Sequence, residues 1–331
     1  MALKTLRRVL LTAGAGAMLV AMTAVVPAAA TPPSPLAGYA SGTYTTIDYP
    51  GAVQTNISGI NNLGTMIGYY IDAEGVNHGF IYQHGTFAPF NDSNAGTGAG
   101  QGTIGSGIND FGTAVGVYID SNYTYHGFIY QRGTFTTLNG PSPSTLGSFG
   151  AFANFINDFG TVTGAYTDTN NVFHGFLYHD GSYTTVDDVN GGAGAYQGTM
   201  TLGINNLGVV TGFYFDNSGV THAFVDVAGR LTTFDDPSAG TGPQEGTQFY
   251  GLNDFGAITG MYWGSDTSGH GFLDVAGRLT PISDPNGIPV GFEPLAWGPD
   301  DINDAGVVVG GYYTSGASGD VLNGFSLTPR H

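Results

Sequence analysis

Short runs in which apolar and polar residues alternate recur along the chain at a nearly constant interval. Each interval holds four runs that are rich in Thr, Val, Ile, Tyr and Phe and are bounded by Gly, Asn and Asp, which is the composition of β-strands. We name these runs a to d in chain order; examples are 56–61 (a), 65–70 (b), 79–82 (c) and 134–138 (d). Outside residues 9–26 no segment has the apolar period of an amphipathic helix. The pattern therefore predicts an all-β protein.

The interval is set by an asparagine that follows Ile or Leu at the end of each run a. These anchoring residues are Asn61, Asn109, Asn157, Asn205, Asn253 and Asn303, separated by 48, 48, 48, 48 and 50 residues. Four short strands in about 48 residues are typical of one blade of a β-propeller. The sequence thus predicts a six-bladed β-propeller made of four-stranded blades.

The sixth repeat has no run d of its own, because the chain ends shortly after Phe325. A spare run d, residues 44–48, lies near the other terminus and matches residues 231–235 in chemistry. We expect this N-terminal strand to pair with the last repeat beside residues 324–327. That pairing would close the ring and remove an exposed sheet edge.

The turns and loops divide between the two ends of such a meander. The a–b and c–d turns are tight and contain Gly, and they define one end, the turn face. The b–c connections (72–77, 120–125, 168–173 and 216–221) and the long d–a connections define the other end, the loop face. Because loops on a rigid scaffold usually carry binding function, we expect any ligand site at the loop face.

Residues 1–30 have the features of a secretory signal peptide. Lys4, Arg7 and Arg8 precede an apolar run at 9–26, and small residues at 27–30 offer a cleavage site. A membrane anchor is the alternative, and the choice between Sec and twin-arginine export stays open. We expect a secreted bacterial protein with a linker at 31–42, the propeller at 43–331, and no membrane span after cleavage.

The charge of the chain limits its partners. The formal net charge is −18, and without residues 1–30 four Arg remain against 25 acidic residues, a charge of −21. Nucleic acid and anionic membranes are therefore poor partners, whereas cations and neutral ligands remain suitable. There is no Cys, which excludes thiolate metal sites and a Cys nucleophile. We expect a monomer.

A histidine precedes run c in five repeats. These residues are His78, His126, His174, His222 and His270, with Asn323 at the same place in the sixth repeat. We interpret them as hydrogen-bonding residues that fix the b–c loops, since Asn replaces a hydrogen-bonding His better than it replaces a zinc ligand. We predict no metal site and no cofactor. Ca²⁺ held between a b–c loop and a d–a loop stays open as an alternative, because the chain is acidic.

No catalytic set stands out from the turn acids. The only Glu residues are Glu74, Glu245 and Glu293, and the last two lie in d–a loops. The Gly-x-Ser-x-Gly motif is absent. Arg132, Arg230 and Arg278 lie at c–d turns, away from the loop face, which disfavours a sialidase-type site.

Aromatic and acidic residues enter the loop face irregularly, unlike the residues that recur in register. We predict a ligand site there with five contacts: Trp297, Glu245, Glu293, Tyr196 and Phe249. The function that this favours is an extracellular binding or scaffold module for a neutral glycan or a protein. The alternative is a glycan-cleaving hydrolase or lyase that uses loop carboxylates. We predict no catalytic residues.

The repeat Gly-Ile-Asn-x-x-Gly-x-x-x-Gly-x-Tyr followed by His-Gly/Ala-Phe resembles the HAF-repeat family of bacterial extracellular proteins. The tripeptide that names the family occurs as His222-Ala223-Phe224, and the last copy departs from it as Asn323-Gly324-Phe325. The resemblance covers nearly the whole chain after residue 42. It implies export and a repeat architecture, and it implies no catalytic residues.

Overall fold

The computed structural model describes residues 39, 42–141, 149–266, 268–282, 298–316 and 319–330. These residues form twenty-four β-strands joined by turns and loops. No helix among them has the length and the apolar character needed to span a membrane. The all-β class predicted from the alternation is therefore confirmed.

The strands follow the predicted order a, b, c, d in each repeat. Repeat 1 holds β2 (Gln54–Ile60), β3 (Met66–Ile71), β4 (Asn77–Gln83) and β5 (Thr86–Phe90), and repeat 2 holds β6 (Gly102–Ile108), β7 (Ala114–Ile119), β8 (Tyr125–Gln131) and β9 (Thr134–Leu138). Repeat 3 holds β10 (Ala151–Ile156), β11 (Val162–Thr167), β12 (Phe173–His179) and β13 (Ser182–Val186), and repeat 4 holds β14 (Gly198–Ile204), β15 (Val209–Phe215), β16 (Thr221–Val227) and β17 (Arg230–Phe234). Repeat 5 holds β18 (Gly246–Leu252), β19 (Ala257–Trp263), β20 (Gly269–Val275) and β21 (Arg278–Pro281), and repeat 6 holds β22 (Pro299–Ile302), β23 (Val308–Gly316) and β24 (Gly319–Thr328).

Within each repeat the strands form an antiparallel meander. In repeat 2, Gly105 pairs with Gly116 and Gly116 pairs with Phe128. A Cβ atom added to Gly116 would lie 2.8 Å from the Phe128 ring, so this position requires glycine. The run-b glycine therefore makes room for the run-c phenylalanine.

The first strand, β1 (Thr43–Thr46), pairs with the last one. Its register against β24 is antiparallel, with Thr43 opposite Thr328 and Thr46 opposite Phe325. The Ile47 N–H also donates to the Gly324 carbonyl oxygen at 2.9 Å. The predicted pairing of the N-terminal strand with repeat 6 is thus present in the structure.

Hydrogen bonds between the anchoring asparagines link each repeat to the next. Asn61 Nδ2 donates to the Asn109 carbonyl oxygen at 3.0 Å, and the same bond recurs from each anchor to the following one. Asn303 Nδ2 then donates to the Asn61 carbonyl oxygen at 3.1 Å. The series therefore returns to its starting residue, and we call these six side chains the anchor ring.

A second series of bonds runs through the residue that follows each anchor. The backbone N–H of Asn62 donates to Asp110 Oδ1 at 2.8 Å, and the equivalent N–H of Asp304 donates to Asn62 Oδ1 at 2.8 Å. We call these side chains the inner acidic ring: Asn62, Asp110, Asp158, Asn206, Asp254 and Asp304. A cavity of about 60 Å³ at this level is lined by residues of all six repeats.

Each repeat contributes one equivalent phenylalanine to the buried core. One run-c phenylalanine from each repeat has at most 2% of its surface exposed: Phe80, Phe128, Phe176, Phe224, Phe272 and Phe325. Burial of a phenylalanine side chain contributes about 1.5–3 kcal/mol, so this layer is a large term in the stability of the fold.

Candidate ligand-binding site

The loop face is a rigid surface, because b–c loops are bonded to the d–a loops that follow them. The Gly100 N–H donates to the Gly75 carbonyl oxygen at 2.8 Å, and Tyr196 N–H donates to the Asn171 carbonyl oxygen at 2.7 Å. Gln244 N–H makes the same bond to Gly219 at 2.7 Å. The same kind of backbone hydrogen bond therefore joins the two loops in three places around the loop face. The predicted meeting of the b–c and d–a loops at one end is confirmed.

A row of aromatic side chains crosses the loop face from repeat 2 to repeat 4. Tyr125 lies 5.9 Å from Phe149 and 5.2 Å from Phe152, measured between ring centroids. Phe149 lies 5.4 Å from Tyr196 in an edge-to-face arrangement and 6.2 Å from Phe173. We call these five residues the aromatic row. Phe173 continues it to Phe215 at 6.4 Å.

The aromatic row is accessible to a ligand. Tyr196 is 50% exposed, and the other four side chains are half-buried. Tyr196 has a φ of 64°, which a non-glycine residue adopts only when its surroundings hold it there. An exposed aromatic ring on such a fixed backbone is a preorganised contact surface.

Polar side chains cluster on the run-a strands of repeats 5, 6 and 1. Asn56 Nδ2 donates to Asp300 Oδ2 at 3.0 Å and lies 3.1 Å from Ser58 Oγ. The Tyr250 hydroxyl donates to Gln248 Oε1 at 2.7 Å. These residues come from repeats 5, 6 and 1, and we call them the polar arc.

Two positions of run a differ in chemistry between the repeats. In repeat 3 they are Phe152 and Asn154, five and three residues before the anchor, and both are half-buried. Counted back from the anchor, the same two positions hold the polar arc in repeats 5, 6 and 1. In repeats 2 and 4 they hold Ile104, Ser106, Met200 and Leu202. At these two positions repeats 2, 3 and 4 are therefore mostly apolar, whereas repeats 5, 6 and 1 are polar.

Two adjacent carboxyl groups of repeat 6 hold protons more strongly than usual. Burial raises the pKa of Asp300 to about 7, although the hydrogen bond from Asn56 opposes the shift. Burial also raises the pKa of Asp301 to about 8, against hydrogen bonds from the Ile60 and Ile302 N–H groups. Near neutral pH Asp300 can therefore present either a hydroxyl donor or a carboxylate acceptor.

Each histidine before run c lies against a loop aspartate, and in repeats 2, 3 and 4 it also contacts the residue that follows run d. His174 Nδ1 lies 2.8 Å from Asp187 Oδ2, and its Nε2 lies 3.8 Å from Asp168 Oδ2. In repeat 1, the hydrogen bond from His78 at 2.8 Å lowers the pKa of Asp72. These contacts support our interpretation that the histidines fix the loops. Among the described residues no group of three or more His, Asp or Glu side chains is arranged to hold a metal ion.

The structure places the five predicted contact residues in different settings. Tyr196 belongs to the aromatic row. Glu245 uses its carboxylate inside its own loop, where Oε2 accepts from the Gly242 N–H at 2.7 Å, as Gln197 Oε1 does from the Gly194 N–H at 2.9 Å. Trp297 and Glu293 lie outside the described residues.

Phe249 lies in the core and not beside a loop. It is 1% exposed and stacks on Phe234 at 5.1 Å, with Phe272 at 6.0 Å. It holds the strand position that Ile57 holds in repeat 1, four residues before the anchor, where the side chain points into the blade. Alignment of the repeats is the signal that could have placed it. Phe249 therefore contributes to packing and cannot reach a ligand on the loop face.

Sequence reasoning missed the polar arc. Asp300 and Tyr250 both stand three residues before an anchor, where repeats 1 and 2 have serine, so the signal is the break in a repeated position. Tyr125, Phe149 and Phe152 stand in or beside loops in the sequence, but the sequence does not show that their rings contact one another. Their contacts depend on repeats 2 and 3 being neighbours, which the sequence alone does not measure.

The comparison with solved structures finds a similar fold in AofleA from Arthrobotrys oligospora. The TM-score is 0.54 and the identity 13%, over 87% of this chain and 90% of that chain. The chain is also similar to the fucose-specific lectin from Aleuria aurantia, at a TM-score of 0.48 and 12% identity over 84% and 96% of the two chains. A further structure of that lectin, described as a six-bladed β-propeller, gives a TM-score of 0.42 and 12% identity over 72% and 81%.

At these identities the similarity to AofleA shows the fold alone, and the two lower TM-scores carry no argument. Comparison with models of known families and with curated protein sequences finds no match. The function must therefore be argued from the site itself.

Proposed function

We propose that this chain is a secreted, non-enzymatic binding protein of the HAF-repeat family, and that it binds a neutral glycan at the loop face. The observation that carries the proposal is the presence of both an exposed aromatic row on the loop face and the polar arc on the run-a strands of the same chain. A sugar ring has an apolar C–H face and a rim of hydroxyl groups. An aromatic side chain suits the first, and amide, hydroxyl and carboxyl groups suit the second. Such a mixed lining is typical of ligand sites.

The charge of the chain supports a neutral ligand. With a formal net charge of −18, the protein repels anionic ligands at long range. The carboxyl group of Asp300 in the polar arc has the neutral Asn56 as its hydrogen-bond partner. Neither the net charge nor this carboxyl group opposes the binding of an uncharged oligosaccharide.

We further propose that the six repeats are six blades and that β1 closes the ring. Three observations support this architecture. Strand β1 pairs with β24, the anchor ring returns from Asn303 to Asn61, and one cavity has lining residues from all six repeats. A closed ring would keep the aromatic row and the polar arc at a fixed separation, which a rigid site requires.

The alternative, glycan cleavage by loop carboxylates, has less support. A glycosidase needs two carboxyl groups on opposite sides of the bond that is cleaved. Glu245 is already engaged by the Gly242 N–H within its loop. Asp300 and Asp301 are neighbours in one strand, and Asp301 accepts hydrogen bonds from two backbone N–H groups. We therefore propose binding without turnover.

The test begins with an array of neutral and anionic glycans, followed by calorimetric titration of the best neutral ligand. Replacement Tyr196→Ala removes the most exposed member of the aromatic row. We expect the affinity to fall by about tenfold or more, which corresponds to about 1.4 kcal/mol. Binding only to anionic glycans, or to none, would contradict the proposal.

The matched control is Tyr123→Ala. Tyr123 has the same φ of 64° and is 56% exposed, and its hydroxyl donates to the Ala99 carbonyl oxygen at 3.2 Å. It lies in a b–c loop but makes none of the ring contacts that define the aromatic row. We expect this variant to bind like the unsubstituted protein. An equal loss in both variants would show that the aromatic row is not the site.

A further inference from the structure

Five of the six a–b turns expose a large apolar side chain on the turn face. These are Leu63, Phe111, Phe159, Leu207 and Phe255, each between 66% and 76% exposed. Each stands two residues after an anchor and directly before a glycine with positive φ. We call these five residues the crown. In the sixth turn the same position holds Ala305.

The turn itself does not require a large apolar residue. The c–d turns at the same end expose His84, Arg132, Asp180 and Ala228 directly before their glycines. An exposed leucine or phenylalanine forgoes the stabilisation that burial of its side chain would give. Clustered exposure of this kind on a folded protein usually marks an interaction surface. Repetition in five turns makes the crown such a surface.

Carboxylates lie directly inside the crown. The inner acidic ring precedes it by one residue and contributes Asp110, Asp158, Asp254 and Asp304. Burial raises the pKa of Asp304, and the charges of Asp254 and Asp110 raise it further. These like charges repel one another, so a cation at this place would be stabilising. The crown and the ring together fit a partner that is apolar and positively charged.

The N-terminal part of the chain joins the fold at this same face. The Tyr39 hydroxyl donates to the Gly306 carbonyl oxygen at 2.8 Å, and Tyr39 is 7% exposed. Gly306 follows Ala305, so the chain enters beside the gap in the crown. The segment from residue 26 to residue 39 can span up to about 40 Å when extended. Residues 9–26 can therefore reach the crown.

We propose that residues 1–30, while they remain attached, dock on the crown. The apolar run 9–26 would cover the crown side chains, and Lys4, Arg7 and Arg8 would face the inner acidic ring. This segment combines the two required chemistries, whereas residues 31–331 contain no Lys and only four Arg. Its removal would uncover the crown. The inference is independent of the proposed glycan site at the other end.

The charges argue against two other occupants. A second copy docked face to face would bring two sets of carboxylates together, which is unfavourable. An anionic lipid surface meets the same repulsion. A zwitterionic lipid surface does not, and it is therefore a separate outcome of the test.

The absence of native cysteine permits a direct test in the full chain. With Leu19→Cys and Phe159→Cys together, mild oxidation should form a disulfide within one molecule. Phe111→Cys serves as the second crown position if the first variant folds poorly. The matched control pairs Leu19→Cys with Ser182→Cys, an exposed position beside a c–d turn on the same turn face.

We expect a severalfold higher yield for the crown pairs than for the control pair. Neutralising the leader with Lys4→Gln, Arg7→Gln and Arg8→Gln should lower the yield. Equal yields for the crown and control pairs would overturn the proposal, as would a disulfide that joins two molecules. Equal yields together with binding to phosphatidylcholine vesicles that Phe159→Cys weakens would assign the crown to a zwitterionic lipid surface instead.

Discussion

The anchor ring makes a quantitative prediction at Asn157, which is 6% exposed. Its Oδ1 accepts from the Phe159 N–H at 3.1 Å and the Thr161 N–H at 3.0 Å. Its Nδ2 donates to the Asn205 carbonyl oxygen at 3.1 Å. Replacement Asn157→Ala removes all three bonds and leaves the Asn205 carbonyl without this donor.

The expected loss follows from these contacts. A lost hydrogen bond costs about 1 kcal/mol, and a buried polar group left unpaired costs about 1–3 kcal/mol. The Phe159 N–H lies in an exposed turn and can bond to water, so it contributes little. We expect Asn157→Ala to lower the free energy of unfolding by about 3 kcal/mol, and the melting temperature by roughly 6–12 °C.

Denaturant and thermal unfolding measure this change, and two further variants interpret it. Asn157→Asp retains the two acceptor bonds but replaces the donor to the next repeat with a buried carboxyl group among other acids, so it should lose at least about 1–3 kcal/mol. The control is Asn190→Ala, on an exposed loop, with an expected change within about 0.5 kcal/mol. If Asn157→Ala is no less stable than this control, the anchor ring does not stabilise the fold.

Three further predictions concern stability. The pKa of Asp301 is raised to about 8, so the folded state binds more protons than the unfolded state between about pH 4 and pH 8. Stability should therefore fall as the pH rises through that range, by at most about 1.4 kcal/mol per pH unit for this group. Asp301→Asn should flatten a plot of melting temperature against pH. Deletion of residues 31–49 removes β1 and should give a poorly soluble chain, whereas a monomer with unchanged melting in size-exclusion and thermal assays would contradict ring closure. His126 Nδ1 lies 3.0 Å from Asn139 Oδ1, so His126→Ala should lower the free energy of unfolding by about 1–3 kcal/mol in denaturant titration, and the purified protein should hold no stoichiometric transition metal that this variant loses.

The period of the sequence is enough to predict the strands. Run d at 134–138 coincides with β9, and residues 44–46 pair with the last repeat as expected. Each of these follows from a pattern that every repeat shares. Because the same pattern occurs in six repeats, irregular residues in one repeat do not obscure it, and the strands and turns can be located reliably.

The site depends on the positions where the repeats differ, and the period says little about these. Phe249 is irregular along the sequence and so suggests a loop aromatic, yet its strand position turns it into the core. Asp300 resembles one turn acid among many, and its raised pKa comes from burial between repeats 6 and 1. The bond from Asn61 to Asn109 likewise joins two copies of one residue. A period shows that they are equivalent but not that they touch.

The central claim is that a neutral glycan binds between the aromatic row and the polar arc. A crystal structure of the chain with the best neutral glycan from the array tests it most directly. We predict a sugar ring against Phe149 or Tyr196, with its hydroxyl groups directed toward Gln248 and Asp300. A glycan bound on the turn face, or on the outer strands away from both groups, would contradict the account.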